Sequence, residues 1–121
     1  FKLYGFDIDP EAVRLTRDNA AKAGVGEYIE VNRRDVAEFT YPEGCTAVLC
    51  NPPYGERMLD EEQAHELYRV MGKRMLPTDG RRLFVITPDG EFEELFGKKA
   101  DKNRKLYNGM LMCRLYSYFK G

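Results

Sequence analysis

The sequence predicts a doubly wound α/β domain closed by a C-terminal antiparallel hairpin, and three observations carry that prediction. Short apolar or aromatic runs alternate with amphipathic helical stripes, the pattern of a parallel sheet built from βαβ units. Two of the runs, residues 47–50 and 83–86, are continuously apolar, as expected of strands buried on both faces. Asn108-Gly109 separates two extended runs near the end and is the strongest short hairpin signal available.

In chain order, residues 2–7 form an aromatic and apolar run that stops at acid. Asp9-Pro10-Glu11 then reads as an N-cap, a proline at the first helical position and an acid in the first turn. Val13, Thr16, Ala20 and Ala23 follow at helical spacing, and Gly24 is a fitting C-terminal stop. Residues 28–31 predict a short strand and 47–50 the next one. Ala64, Leu67, Tyr68, Met71 and Met75 make a helical stripe read as core. After the strand at 83–86, Pro88-Asp89-Gly90 breaks the chain before a short helix at 91–96, and the hairpin strands fall at 104–107 and 110–119. Domains of this type normally open with a strand and a Gly-rich turn, and neither is found in these 121 residues. That strand would sit mid-sheet, between the strands ending at Asp7 and Asn51. Those two are therefore expected to pair abnormally or to be covered by a second copy.

The length suits one domain, residues 1–121, with a single core. No apolar run approaches the roughly 18–20 residues of a bilayer span, and the N-terminus has no signal-peptide layout. Cys45, Cys50 and Cys113 form no C-x-x-C pair, which predicts free thiols, a cytoplasmic setting and no metal. His65, the only histidine, falls in a charge-rich helical stretch and reads as solvated. The net charge of −1 hides an asymmetry. From Gly97 onward seven basic residues meet one acid, giving +6 and leaving −7 for the first 96 residues. Lys98, Lys99, Lys102, Arg104 and Lys105 lie in that basic stretch, which is either a face for phosphate or a solvated tail.

Asn51-Pro52-Pro53-Tyr54 directly follows the apolar strand 47–50, and ligands of open α/β sheets bind off the carboxyl ends of strands. Two consecutive prolines fix φ and remove two N–H donors, leaving a rigid turn with free carbonyls. The Asn51 side-chain oxygen and the Pro52 carbonyl then form a pair of acceptors suited to an exocyclic amine. Such an amine is a poor nucleophile because its lone pair is delocalised into the base. Gripping both N–H bonds aims that lone pair and stabilises the positive charge that develops on transfer. Tyr54 supplies a face on which an extruded base can stack. At the first strand's tip, Asp7 is placed to accept ribose hydroxyls, Ile8 to lie against an adenine ring, and Asp9 to cap the helix. Asp35 either accepts from an adenine amine, with the Val36 N–H donating to the ring, or is an exposed loop acid.

Tyr4-Gly5-Phe6-Asp7-Ile8-Asp9-Pro10, Asn19-Ala20-Ala21-Lys22-Ala23-Gly24-Val25 and Asn51-Pro52-Pro53-Tyr54-Gly55-Glu56-Arg57-Met58 together resemble class I S-adenosyl-L-methionine-dependent methyltransferases, whose sheet is Rossmann-like. Gly55-Glu56-Arg57 and the run from Ala100 to Gly109 narrow the resemblance to the bacterial 23S rRNA guanine-N2 methyltransferases that carry an RNA-binding THUMP domain, a family often labelled N6-adenine DNA methylases. The resemblance implies that Asp7 and Ile8 hold the cofactor's ribose and adenine, and that Asp35 and Val36 meet the adenine edge. It further implies that Asn51, Pro52 and Tyr54 hold the target base. The family's Gly-rich loop and THUMP domain are not among these residues, so the chain is read as the C-terminal part of a longer catalytic protein, inactive by itself. Alternative readings from the same turn are adenine-N6 methylation of DNA or RNA, methylation of a protein glutamine amide, and RNA binding without catalysis.

Overall fold

The computed structural model describes residues 2–52, 61–77 and 80–119, apart from the side chains of Glu61 and Asn108. They divide into two compact units, residues 1–42 and 43–121. No described helix is long and apolar enough to cross a membrane.

The first unit holds β1 (Leu3–Asp7), α1 (Pro10–Lys22) and β2 (Ile29–Arg33), with β1 and β2 parallel from Leu3↔Ile29 to Asp7↔Arg33. Asp9 is the N-cap of α1, its carboxylate accepting from the Glu11 amide at 2.9 Å with Pro10 at the first helical position. The helix ends in a Schellman motif: the Gly24 amide bonds Ala21 O and the Val25 amide bonds Ala20 O, with Gly24 at φ 77°. Val13, Ala20, Val31 and Phe39 are buried here. Tyr28, expected to open a strand, belongs instead to the one-turn 3-10 segment Gly26–Tyr28.

The second unit contains β3 (Ala47–Cys50), α2 (Glu61–Arg74), β4 (Arg82–Thr87), α3 (Phe92–Phe96), β5 (Lys102–Asn108) and β6 (Leu111–Tyr118). Its sheet runs β3-β4-β6-β5, with β3 and β4 parallel and the hairpin antiparallel. Leu83, Val85 and Thr87 of β4 are fully buried on one face. Directly paired residues share a face, so Tyr118, Tyr116 and Arg114 of β6 join them. The helical stripe packs there: Ala64, Tyr68, Met71 and Met75 are buried. Phe92 lies 5.1 Å from Tyr68 and 5.0 Å from Tyr116, and Phe96 lies 4.7 Å from Tyr118.

Three expectations change. The α/β class holds, but the strands form two sheets. Among the described residues β1 pairs with β2 and β3 with β4, each keeping a parallel neighbour. The strand Ala47–Cys50 is not buried on both faces: Leu49 is 69% exposed, because β3 is an edge strand and Leu49 lies on the face away from α2 and α3. In the hairpin, Asn108 pairs with Leu111, so the two loop residues are Gly109 and Met110. Gly109 takes φ 66° in the first loop position, the positive φ that the primed hairpin turns require there.

Gly72 sets how closely α2 and α3 approach. A Cβ there would lie 1.9 Å from the Phe96 carbonyl oxygen, a backbone atom that cannot swing aside. Gly72→Ala should therefore destabilise the protein by about 1–3 kcal/mol or more, the range for overpacking a fitted core. Urea denaturation measures it, and an unchanged midpoint would mean that the helices do not meet at Gly72.

Candidate active site

In the first unit, β1 and β2 end side by side, and the expected nucleoside-binding residues gather at that carboxyl edge. The Arg34 amide donates to Asp7 O at 2.9 Å, and the Arg33 guanidinium donates through Nε to Ile8 O at 2.9 Å. These two bonds tie the segment after β2 to the loop after β1. The loop holds its own acids by short-range main-chain bonds. Asp7 Oδ1 accepts from the Asp9 amide at 3.0 Å while Asp9 caps α1. The exposed Asp7 carboxylate keeps its second oxygen, and the neighbouring Ile8 is 54% exposed. Asp35 is exposed too and is the N-cap of the 3-10 turn Val36–Glu38, accepting from the Ala37 amide at 2.9 Å. It makes no ion pair with Arg33 or Arg34: Arg34 lies 4.7 Å over the Phe6 ring. Val36 opens the turn, where an amide has no partner within the turn. Asp7, Ile8, Asp35 and Val36 are thus brought to one edge. A shallow cavity of about 330 Å³ on this unit is lined by Lys2, Arg17, Ala20, Gly26 and the strand residues 29–32, and includes none of them.

In the second unit, Asn51 and Pro52 follow β3 at its carboxyl end; Asn51 is exposed and Pro52 is buried. Pro53 and Tyr54 lie outside the described residues. Burial pushes the Cys50 thiol up to about 11, so it stays protonated and uncharged at neutral pH.

Sequence reasoning missed a polar group at the same edge. The Tyr68 hydroxyl meets Thr87 Oγ1 at 3.0 Å, and Thr87 Oγ1 also accepts from the Asp89 amide at 3.2 Å. Burial raises the Tyr68 hydroxyl above the usual tyrosine range, which keeps it neutral. His65, expected to be solvated, is half-buried with Nε2 3.1 Å from Asp89 Oδ2 and 3.4 Å from Glu91 Oε2. These two partners lie 24 and 26 residues away, which no local pattern reveals. The one available signal was Thr87, a polar residue ending an apolar strand. The expected basic patch is spread out by the strand register. Lys102 and Arg104 share one face of β5 and Lys105 the other, while Lys98 lies before the strand with its carbonyl accepting from the Tyr118 hydroxyl at 2.7 Å.

A family model described as UPF0020, RMKL-like methyltransferase domain, matches residues 1–117. YpsC of Bacillus subtilis is 34% identical over 117 residues, covering 97% of this chain and 30% of that protein. Ribosomal RNA large subunit methyltransferase K/L of Photobacterium profundum is 38% identical over 120 residues, covering 97% of this chain and 17% of that protein. Among solved structures, SMU.472 in complex with SAH superimposes with a TM-score of 0.91 at 37% identity, covering 98% of this chain and 32% of that one. The chain thus spans less than a third of the curated relatives it matches.

The two acids at the tip of β1 can be separated by stability. Asp9→Ala removes the N-cap of α1 and should cost about 1 kcal/mol. Asp7→Ala leaves only the solvated Asp9 amide without its partner and should cost less. Paired denaturation curves test this, and the reverse order would exchange the assigned roles.

Proposed function

The chain belongs to the UPF0020 family of RMKL-like methyltransferase domains, and from that premise we propose that it carries part of an S-adenosylmethionine-dependent methyltransferase acting on 23S rRNA, with guanine N2 as the target amine. The observation that carries the reading is the place of Asn51: an exposed residue directly after the carboxyl end of a parallel strand, followed by a buried Pro52. The SAH complex of SMU.472 and the rRNA methyltransferase K/L relatives support the cofactor and substrate class.

The first unit fits a nucleoside. Asp7 has a free carboxylate oxygen for ribose hydroxyls, Ile8 an open apolar surface for one face of adenine, and Asp35 and Val36 an acceptor and a donor for the adenine edge. Bound S-adenosylmethionine would supply the methyl group as an electrophile, its S–CH3 bond breaking as the amine attacks and the neutral thioether departing as the leaving group. Asn51 and the Pro52 carbonyl accept from both N–H bonds of the base amine, localise its lone pair and stabilise the positive charge as the new N–C bond forms. One N–H proton then leaves to solvent. By the family resemblance Pro53 stiffens this turn and Tyr54 stacks on the base. Lys98, Lys99, Lys102, Arg104 and Lys105 contact RNA phosphates, which add affinity without reading sequence.

Asn51→Ala in the intact protein should abolish transfer in a single-turnover assay and leave cofactor affinity within about twofold by calorimetry, since its role is toward the amine; wild-type turnover would sink the mechanism. Asp7→Ala should weaken cofactor binding by about 2–4 kcal/mol, on the order of a hundredfold, because two bonds to a charged acceptor are lost. Unchanged binding in the same titration would remove Asp7 from the ribose site.

A further inference from the structure

We infer that the tip of the β5–β6 hairpin is a clamp for an unpaired nucleotide flanking the target base, with Tyr107 stacking on that nucleotide and Lys105 and Arg114 holding its phosphates. The inference rests on the methyltransferase reading above and deepens it by naming the feature of the RNA that is grasped.

Placement comes first. β4 ends at Thr87, whose partner in β6 is Arg114. β5 and β6 pair for three further rungs, Leu106↔Cys113, Tyr107↔Met112 and Asn108↔Leu111. At about 3.4 Å per residue the hairpin overhangs the end of β4 by roughly 10 Å. The overhang rises from the carboxyl edge, the edge at which Asn51 leaves β3, since Cys50 pairs with Val85 two residues before Thr87. Strand order sets β6 two strands and β5, which carries Lys105 and Tyr107, three strands from β3, lateral distances of roughly 10 and 14 Å. These are too far to touch the base held by Asn51 and close enough to meet its neighbours along an RNA strand.

The chemistry of the overhang comes second. Tyr107 is 69% exposed and Met110 fully exposed, an unusual display of apolar surface on a two-stranded stem. Lys105 and Arg114 stand directly opposite each other, and like charges so placed are destabilising. Neither meets a carboxylate within ion-pair distance among the described residues, and Arg114 bonds only the neutral Asn103 side chain at 3.1 Å. From Lys102 to the C-terminus the sequence contains no acid at all. A polyanion relieves that repulsion, whereas an apolar partner would bury it. The register puts Lys105, Tyr107, Met112 and Arg114 on one face, so the ring and both cations face the same ligand. Phosphate beside an aromatic face is how single-stranded nucleic acid is held, because every base has a π-face to stack. A duplex hides those faces.

The test uses the intact protein and a short fluorescein-labelled RNA, single-stranded or annealed to its complement, in anisotropy titrations over several salt concentrations. Wild type should prefer the single strand. Tyr107→Ala should weaken single-strand binding about tenfold and erase the preference, leaving the slope of log affinity against log salt unchanged. Tyr107→Phe should behave as wild type, since it retains the ring. Lys105→Ala with Arg114→Ala should instead reduce that slope by about 0.7 for each phosphate released. Single-strand binding by Tyr107→Ala equal to wild type would overturn the inference, as would Tyr107→Phe failing alongside it. So would a change of oligomeric state in Tyr107→Ala with RNA affinity intact, which would make the tip a protein contact. Methyl transfer by wild type, assayed separately on unmodified large-subunit rRNA, reports on the methyltransferase reading itself. Transfer that persists while Tyr107→Ala binds RNA normally defeats the clamp alone.

Discussion

The antiparallel ladder between β4 and β6, from Leu83↔Tyr118 to Thr87↔Arg114, is the constraint on which residues 43–121 depend. It joins a parallel pair, β3 and β4, to a hairpin that would be marginal by itself. It also puts Tyr116 and Tyr118 on the face where Leu83, Val85 and Thr87 are buried, and this lets α2 and α3 close over one continuous aromatic and aliphatic layer. Each tyrosine ring is buried while its hydroxyl finds a partner: Tyr68 at Thr87, Tyr116 at Asp89 O and Tyr118 at Lys98 O. No described buried side-chain polar atom lacks a hydrogen-bond partner. That completeness matters because an orphaned buried hydroxyl would cost about as much as a good packing contact supplies.

The end of that ladder also shapes the carboxyl edge of this sheet. Thr87 stops β4, its hydroxyl accepts from the Asp89 amide, and the chain turns into α3 with His65 of α2 drawn against Asp89. The parallel neighbour β3 stops at Cys50, so Asn51 and Pro52 emerge at the carboxyl end of this sheet. The first unit uses the same device with different parts. There the ends of β1 and β2 carry Asp7, Asp9 and Asp35, and each carboxylate takes a main-chain amide two residues ahead. Such local bonds occupy one oxygen of Asp7 and of Asp35 and hold the side chain outward, an arrangement that fixes an acceptor without burying its charge.

Much of this was legible in the sequence because the governing interactions are short in range. The Asp9-Pro10 start of α1, its Gly24 stop, the stripe Ala64–Leu67–Tyr68–Met71–Met75 and the short helix after Gly90 depend on neighbours within about one helical turn, and they appear where the pattern puts them except that Leu67 is only half-buried. The carboxyl-edge positions of Asp7, Asp35 and Asn51 were legible too, since a residue following a parallel strand must lie at that edge.

What the sequence determined by itself was the α/β class, the order of elements and the residue types presented at the strand tips, because backbone propensity, capping and hydrophobic period are properties of adjacent residues. Only the tertiary structure decided which faces are covered and which side chains meet across the chain. Leu49 reads as core and is exposed, because its burial depends on what lies beside an edge strand. His65 reads as solvated and is paired, because Asp89 and Glu91 reach it only once α2 lies across β4. Five cations fall in one basic stretch, yet Lys102 and Arg104 lie on one face of β5, Lys105 on the other, and Lys98 and Lys99 before the strand, because β-strand alternation and the register of β5 against β6 set where the strand residues point. Register is fixed by the sum of long-range contacts, and a sum over distant partners is what a one-dimensional pattern does not contain.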